Sequence, residues 1–261
     1  MIKIGTSGYS FKDWVGNFYP QGIKPGKMLD FYKDHFKAVE INSTYYRIPH
    51  PKVFDNIVDK VPDDFEFIVK VHQTVTHGRR ETSSMKELFL GVDALIRRGK
   101  LRGFLAQFPY SFKYNAKNLN HLVAARSECR GFHLFVEFRH NSWLKDEVYD
   151  ALNENNIGYV DVDEPPLVDL IPPQVLVTNG IGYIRFHGRN RRTWWDSEEG
   201  DRYDYEYSPD ELKEWLPFIQ QIDSKSSETF IFFNNCHMGQ AVKNAKMMRD
   251  MIMNQLRLDV I

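Results

Sequence analysis

The chain has 261 residues, of which 34 are Lys or Arg and 35 are Asp or Glu, for a formal net charge of −1. With 42% hydrophobic residues, 16 Gly, 12 Pro and 2 Cys, it is no disordered polyelectrolyte, collagen or disulfide scaffold. No stretch approaches the ~18 apolar residues of a membrane span, and MIKIGTSGYS reads as a strand rather than a secretory leader. Cys129 and Cys236 stand far apart without C-x-x-C context. A cytoplasmic protein with reduced thiols and no membrane partner is therefore expected.

Short β-rich runs alternate with amphipathic stretches along the chain. Strands are expected at 3–5 and 38–42, followed by a helix over 51–61 that places Val53, Phe54, Ile57, Val58 and Val61 on one face. A strand over 65–72 precedes a helix over 84–99, opened by Ser84 and Glu87 in capping-box spacing and stopped by Gly99. Strands follow at 103–108, 133–139 and 158–163. The next connection, PPLVDLIPPQ, is too proline-rich for a helix. Strands at 182–187 and 229–234 flank a helix opening at Ser208-Pro209-Asp210-Glu211. The last helix carries Ala241, Ala245, Met248 and Ile252 on one face. Eight such units in this length predict a single α/β domain over 1–261. The expected architecture is a (β/α)8 TIM barrel with a short irregular connection between strands six and seven. An open doubly wound sheet would want G-x-G-x-x-G after an early strand, and that motif is absent.

Side chains alternate between the two faces of a strand, and one face of a barrel strand lines the interior. With the apolar residues placed outward, the inward residues are Glu40 and Asn42, Lys70 and His72, Gln107, Glu137 and Arg139, Asp161 and Asp163, Arg185 and His187, and Asn234. All fall near the C-terminal ends of their strands, where barrel enzymes keep their catalytic groups. A fold selected only for stability would put Val, Ile or Leu there, because burying charge costs several kcal/mol per ion unless it is paired. An internal salt-bridge plug is the competing explanation.

The motifs GTSGYSFKDWVGNFYP, VEINSTYYRIP, KVHQTVTH, EFRHNSW, RFHGR and FNN, in that order, resemble the YecE-like family, also called domain of unknown function 72. The resemblance covers essentially the whole chain and implies a TIM barrel, with no established reaction. Tyr9 stands where the family more often has Trp.

The mixed ring favours an enzyme that binds a small anionic, phosphate-bearing substrate and works by carboxylate and histidine acid–base chemistry of hydrolase type. Glu137 is the preferred base, with His187, Asp161 and Glu40 as further catalytic candidates. Lys70, His72, Gln107, Arg139, Arg185, Arg189, Asn234 and Asn235 would bind substrate. Carboxylate neighbours should keep Lys70 protonated, which gives it an electrostatic role. Trp14 in the aromatic loop 9–19, and the Arg/Trp-rich loop 189–195, suit ring stacking. His72 and His77 flank a loop holding Arg79 and Arg80. No cofactor is expected; a divalent metal on Glu40, Glu137, Asp161 and His187, serving a phosphodiesterase or endonuclease, is the alternative. A non-catalytic module for a nucleotide or single-stranded nucleic acid is the third reading.

Overall fold

A computed structural model describes residues 1–78, 83–195 and 201–261; Arg79 and Arg80 lie outside the described residues. Among these, nine strands form: β1 (Ile2–Thr6), β2 (Ala38–Ile41), β3 (Glu66–Lys70), β4 (Leu101–Gln107), β5 (His133–Glu137), β6 (Ile157–Tyr159), β7 (Asp161–Asp163), β8 (Ile181–Phe186) and β9 (Glu228–Phe233). They make two parallel sheets, ordered β2-β3-β4-β5-β6 and β1-β9-β8-β7. The architecture is mixed α/β, and the strand count differs from the eight expected. The single strand expected over 158–163 is divided at Val160, whose N–H returns to the carbonyl of Val136 at 3.0 Å. One parallel bridge joins Ser7 to Glu40, just beyond β1 and within β2.

The helices follow the signals in the sequence, with local breaks. The expected helix over 51–61 is Lys52–Val58, and that over 84–99 is two pieces, Ser83–Gly91 and Asp93–Arg97. Ser208 and Glu211 form a reciprocal capping box at the start of Pro209–Lys213. Residues 164–180 hold no helix or strand, as their prolines require. No helix among the described residues is long and apolar enough to cross a membrane.

Packing between the sheets is aromatic. Phe135 meets Tyr183 at 5.0 Å between ring centroids, and Tyr183 meets Phe232 at 5.5 Å. Gly158 makes room for this layer, since a Cβ there would lie 2.4 Å from the Phe135 ring. At the opposite, N-terminal ends of the strands a second ionic layer forms. Lys3 Nζ donates to Glu66 at 2.6 Å and to Glu228 at 3.1 Å, and Arg102 pairs with the other oxygen of Glu228.

The parity assigned to the strand at 158–163 is reversed in the structure. Asp161 pairs in register with Ile184, and Asp163 with Phe186, while Val162 pairs with Arg185. Partners across a parallel ladder share a face, so the two aspartates point toward the helices and Val162 points in with Arg185. A slip of one residue flips every side chain of a strand, and YVDVD offers no apolar contrast strong enough to prevent the misreading. Asp163 has polar partners on its outward side. It accepts from Tyr207 Oη at 2.6 Å, Trp215 Nε1 at 2.6 Å and Arg189 Nη2 at 2.7 Å. Tyr207 Oη also accepts from the N–H of Gly188. Gly188 sits at φ 92°, and a Cβ there would press within 2.6 Å of Tyr205, so this glycine shapes the turn after β8. Removing the carboxylate would leave the buried Tyr207 hydroxyl and Trp215 indole without their acceptor and Arg189 with Glu214 alone. Asp163→Ala is expected to lower stability by about 3–5 kcal/mol in chemical denaturation; a loss under about 1 kcal/mol would show that this outer cluster is not what fastens β7.

Candidate functional site

Arg185, on β8 and fully buried, is the centre of the charged ring. Its Nε and Nη2 reach the two oxygens of Glu40 at 2.9 and 2.6 Å, its Nη1 donates to Glu137, and Nη2 also reaches Ser7 Oγ at 3.3 Å. Tyr183, two residues earlier on β8, donates its hydroxyl to Glu40. The second oxygen of Glu137 lies 2.7 Å from Arg139 Nη2 and 3.2 Å from His187 Nε2. Arg139 Nη1 then donates to Glu164 at 2.6 Å, and Glu164 also accepts from the N–H of Ile171. Three carboxylates and two guanidiniums thus alternate in one chain of contacts across β2, β5, β8 and the start of the 164–180 segment.

These contacts set the proton affinities. Burial alone would raise Glu137, but the Arg139 and Arg185 guanidiniums override it and hold the carboxyl well below the usual range. Burial, with Arg139 beside it, lowers His187 to about 3, so the imidazole is neutral. Its Nδ1 accepts from Asn234 Nδ2 at 3.1 Å, which leaves the N–H on Nε2, 3.2 Å from Glu137 and beside Arg139 Nη2. Burial pushes Glu164 up to about 7 against the pull of Arg139. Burial, reinforced by Arg185, brings Lys70 down to about 7.

The partly exposed polar groups above this floor are Lys70, Gln107 and Asn234. Lys70 Nζ donates to Gln107 Oε1 at 2.7 Å and sits 4.7 Å from the centre of the Tyr45 ring. Trp194, itself buried, lies over the Arg139 guanidinium at 5.4 Å. This brings the loop after β8, with the exposed Arg191 and Arg192, onto the ring. Trp195 is 47% exposed and meets Tyr110 edge-on at 4.7 Å. Beside Ser7, a largely apolar cavity of about 380 Å³ opens between the loops after β1 and β2, lined by Tyr9, Phe11, Asn42 and Tyr46 among others.

Of the residues singled out from sequence, the structure brings Glu40, Lys70, Gln107, Glu137, Arg139, Arg185, His187 and Asn234 together. Five go elsewhere. Asp161 faces outward, where one oxygen accepts from the N–H of Leu176 and burial drives its pKa well above the usual carboxylate value. Arg189 belongs to the outer cluster with Asp163 and Glu214. Asn235 is fully buried and donates to the Tyr205 carbonyl and to Asn244, because neighbours on a strand end point oppositely. Trp14 is fully buried against Phe11 and Tyr19, and its Nε1 donates to the Cys236 carbonyl at 2.6 Å; it fastens loop 9–19 over the end of β9. His72 caps the helix Gln73–Thr76 by accepting from the N–H of Thr74. Glu164, Ser7 and Tyr183 are ring members that the sequence reading missed. Glu164 was detectable in principle, since Gly158, Val160, Val162 and Glu164 share one parity and Gly158 is the small partner Phe135 needs.

A metal fits this donor set poorly. Glu40 and Glu137 are ion-paired with arginine, Asp161 faces away, and no group of three His, Cys, Asp or Glu among the described residues is arranged to hold an ion. What the fold and site define is a parallel α/β protein with a buried ring of alternating carboxylates and guanidiniums at the strand ends and a lysine of reduced basicity above it. The chain belongs to the DUF72 family: the family described as "Protein of unknown function DUF72" matches residues 3–259. It is 28% identical over 270 residues to the UPF0759 protein YunF of Bacillus subtilis (strain 168), covering 97% of this chain and 95% of that protein. A shorter match to the UPF0759 protein YecE of Escherichia coli (strain K12) is 36% identical over 77 residues, or 30% of this chain and 26% of YecE. The crystal structure of a DUF72 family protein from Thermotoga maritima MSB8 superposes with a TM-score of 0.90 at 39% identity, covering 97% of this chain and all of that one. A DUF72 family protein from Enterococcus faecalis V583 gives 0.85 at 26% identity, covering 99% and 96%.

The neutral His187 has a pH consequence. Its folded pKa is depressed to about 3 from an unfolded value of 6.5, so the unfolded chain binds this proton first and stability is lost as pH falls from about 6.5 toward 3. In denaturation curves at pH 7, 6, 5 and 4, the stability advantage of wild type over His187→Asn should shrink steadily. An advantage independent of pH would contradict a neutral His187.

Proposed function

We propose that this protein is an enzyme acting on a small anionic, phosphate-bearing substrate at the strand C-terminal ends. The observation that carries the reading is the buried ring of Glu40, Arg185, Glu137, Arg139 and Glu164, roofed by a loop bearing two exposed arginines, Arg191 and Arg192. A stability-driven core would not spend so much desolvation on one layer. The two sheets would be arcs of one closed eight-stranded barrel, with β6 and β7 as a single interrupted strand. The Ser7–Glu40 bridge and the Val160–Val136 hydrogen bond, one at each seam, support that closure. A cytoplasmic site of action fits two unpaired cysteines.

Within this site Glu137 serves as a fixed counter-ion, since a carboxylate clamped by two guanidiniums is a weak base. Acid–base work passes to the groups that titrate near neutrality, Lys70 and Glu164. Phosphate would meet Arg191 and Arg192, and an apolar portion of the substrate would enter the cavity beside Ser7. A second reading, a nucleotide-binding module without turnover, draws on one observation: the exposed Trp195 beside Tyr110 offers a ring face to a base.

Calorimetric titration with a panel of sugar phosphates and nucleotides tests the binding. At least one compound is expected to bind, and the Arg191→Ala/Arg192→Ala double variant, altered only at exposed positions, should bind it roughly tenfold or more weakly. Equal binding by the double variant, or no binding across the panel, would count against the anion site. Turnover of the bound compound separates the enzyme from the module.

A further inference from the structure

We propose that Lys70 is a covalent nucleophile whose amine forms an imine with the carbonyl carbon of the substrate. The claim rests on the proposed phosphate-bearing substrate and narrows it to a phosphorylated aldehyde or ketone.

Lys70 ends β3 and its side chain is partly exposed at the strand ends. From the sequence, the neighbouring carboxylates should keep it an ammonium ion. The geometry assigns those carboxylates to other partners. Glu40 is taken by both arms of Arg185 and by the Tyr183 hydroxyl, Glu137 by Arg185 and Arg139, and Glu164 by Arg139. Among the described residues no carboxylate stands at ion-pair distance from Lys70. Its contacts are the neutral Gln107 oxygen and the Tyr45 ring.

The groups facing Lys70 from each neighbouring element are therefore Glu40 on β2, Tyr45 just after it, Gln107 on β4, Glu137 and Arg139 at the end of β5, and Arg185 on β8. Burial and the two guanidiniums work against the ammonium form and the two carboxylates favour it, with the balance at about 7. A far larger share of Lys70 than of an ordinary lysine then carries a free lone pair at neutral pH, the state a Schiff-base lysine needs.

The step balances without a co-reactant. The nitrogen lone pair attacks the carbonyl carbon, the C=O π pair moves to oxygen, and that oxygen takes up a proton to give a carbinolamine. The nitrogen gives up one proton to replace the one consumed, and the hydroxyl then leaves as water by taking a second proton from solvent, so that the nitrogen lone pair forms the C=N bond of a cationic iminium. The resulting iminium would sit over Glu40 and Glu137 with Tyr45 alongside, and a proton or carbon substituent on the adjacent carbon becomes the leaving electrofuge, as in aldol-type cleavage or isomerisation.

Reductive trapping tests this on the full chain. The protein is incubated with glycolaldehyde phosphate, or with glycolaldehyde, plus cyanoborohydride, and each lysine is followed by peptide mass spectrometry. Lys70 should be alkylated at least about tenfold faster than the average lysine at pH 7. Its rate should level off above about pH 8 instead of rising through pH 9, as that of an ordinary lysine does. Lys70→Arg should remove only that fast label. Glycolaldehyde phosphate should outpace glycolaldehyde in wild type but not in Arg191→Ala/Arg192→Ala. Fast labelling by both aldehydes without a phosphate advantage would support the nucleophile and sink the phosphate reading. Phosphate binding by calorimetry, with Lys70 labelled no faster than surface lysines in natively folded protein, would overturn the nucleophile and leave the anion site standing.

Discussion

A fully buried guanidinium, Arg185, is the constraint on which the strand ends depend. Two carboxylates from two other strands converge on it, Glu40 from β2 and Glu137 from β5. Each of the three is costly to bury alone, by several kcal/mol after relaxation, and acceptable only with the others in place. Because β2 and β5 belong to one sheet and β8 to the other, Arg185 also ties the sheets together through side chains. Tyr183 and Phe135 below it fill the space that fixes its height. The second guanidinium, Arg139, extends the same logic to Glu164 and the segment that follows β7.

Saturating the carboxylates in this way has a chemical result. Groups that look like acids and bases in a list of residues, Glu137 and His187, become permanent anion and permanent neutral donor–acceptor, respectively. Above the ring, Lys70 has cations nearby and, among the described residues, no carboxylate at ion-pair distance. The same guanidiniums that hold the carboxylates ionised also lower the proton affinity of Lys70.

Much of this was legible in the sequence, for a simple reason. VEIN, VEFR and YIRFH alternate bulky apolar and charged residues, so the period of two assigns faces unambiguously, and Glu40, Glu137, Arg139 and Arg185 were placed correctly. YVDVD alternates valine with aspartate, and there the rule that apolar residues face the helices failed. Val162 lies inside with Arg185, while Asp163 finds Arg189, Tyr207 and Trp215 outside. Those partners are 26 to 52 residues away, so no local pattern announces them. Trp14 failed for the opposite reason: an aromatic loop looks like a ligand platform until the carbonyl that its indole binds is known. Which carboxylate pairs with which cation is set by strand order and height around the sheets, and composition carries no trace of it.

A double-mutant cycle between Arg185→Met and Glu40→Gln, read by chemical denaturation, tests the central claim most directly. If the ring is one interdependent unit, Arg185→Met strands the Glu40 carboxylate, Glu40→Gln leaves Arg185 with Glu137 alone, and the double change removes the stranded carboxylate. The double variant should then be more stable than the sum of the single losses allows, by about 2–3 kcal/mol. Losses that add within about 0.5 kcal/mol would mean that Arg185 and Glu40 are independent neighbours, and the account of the site built on their pairing would be wrong.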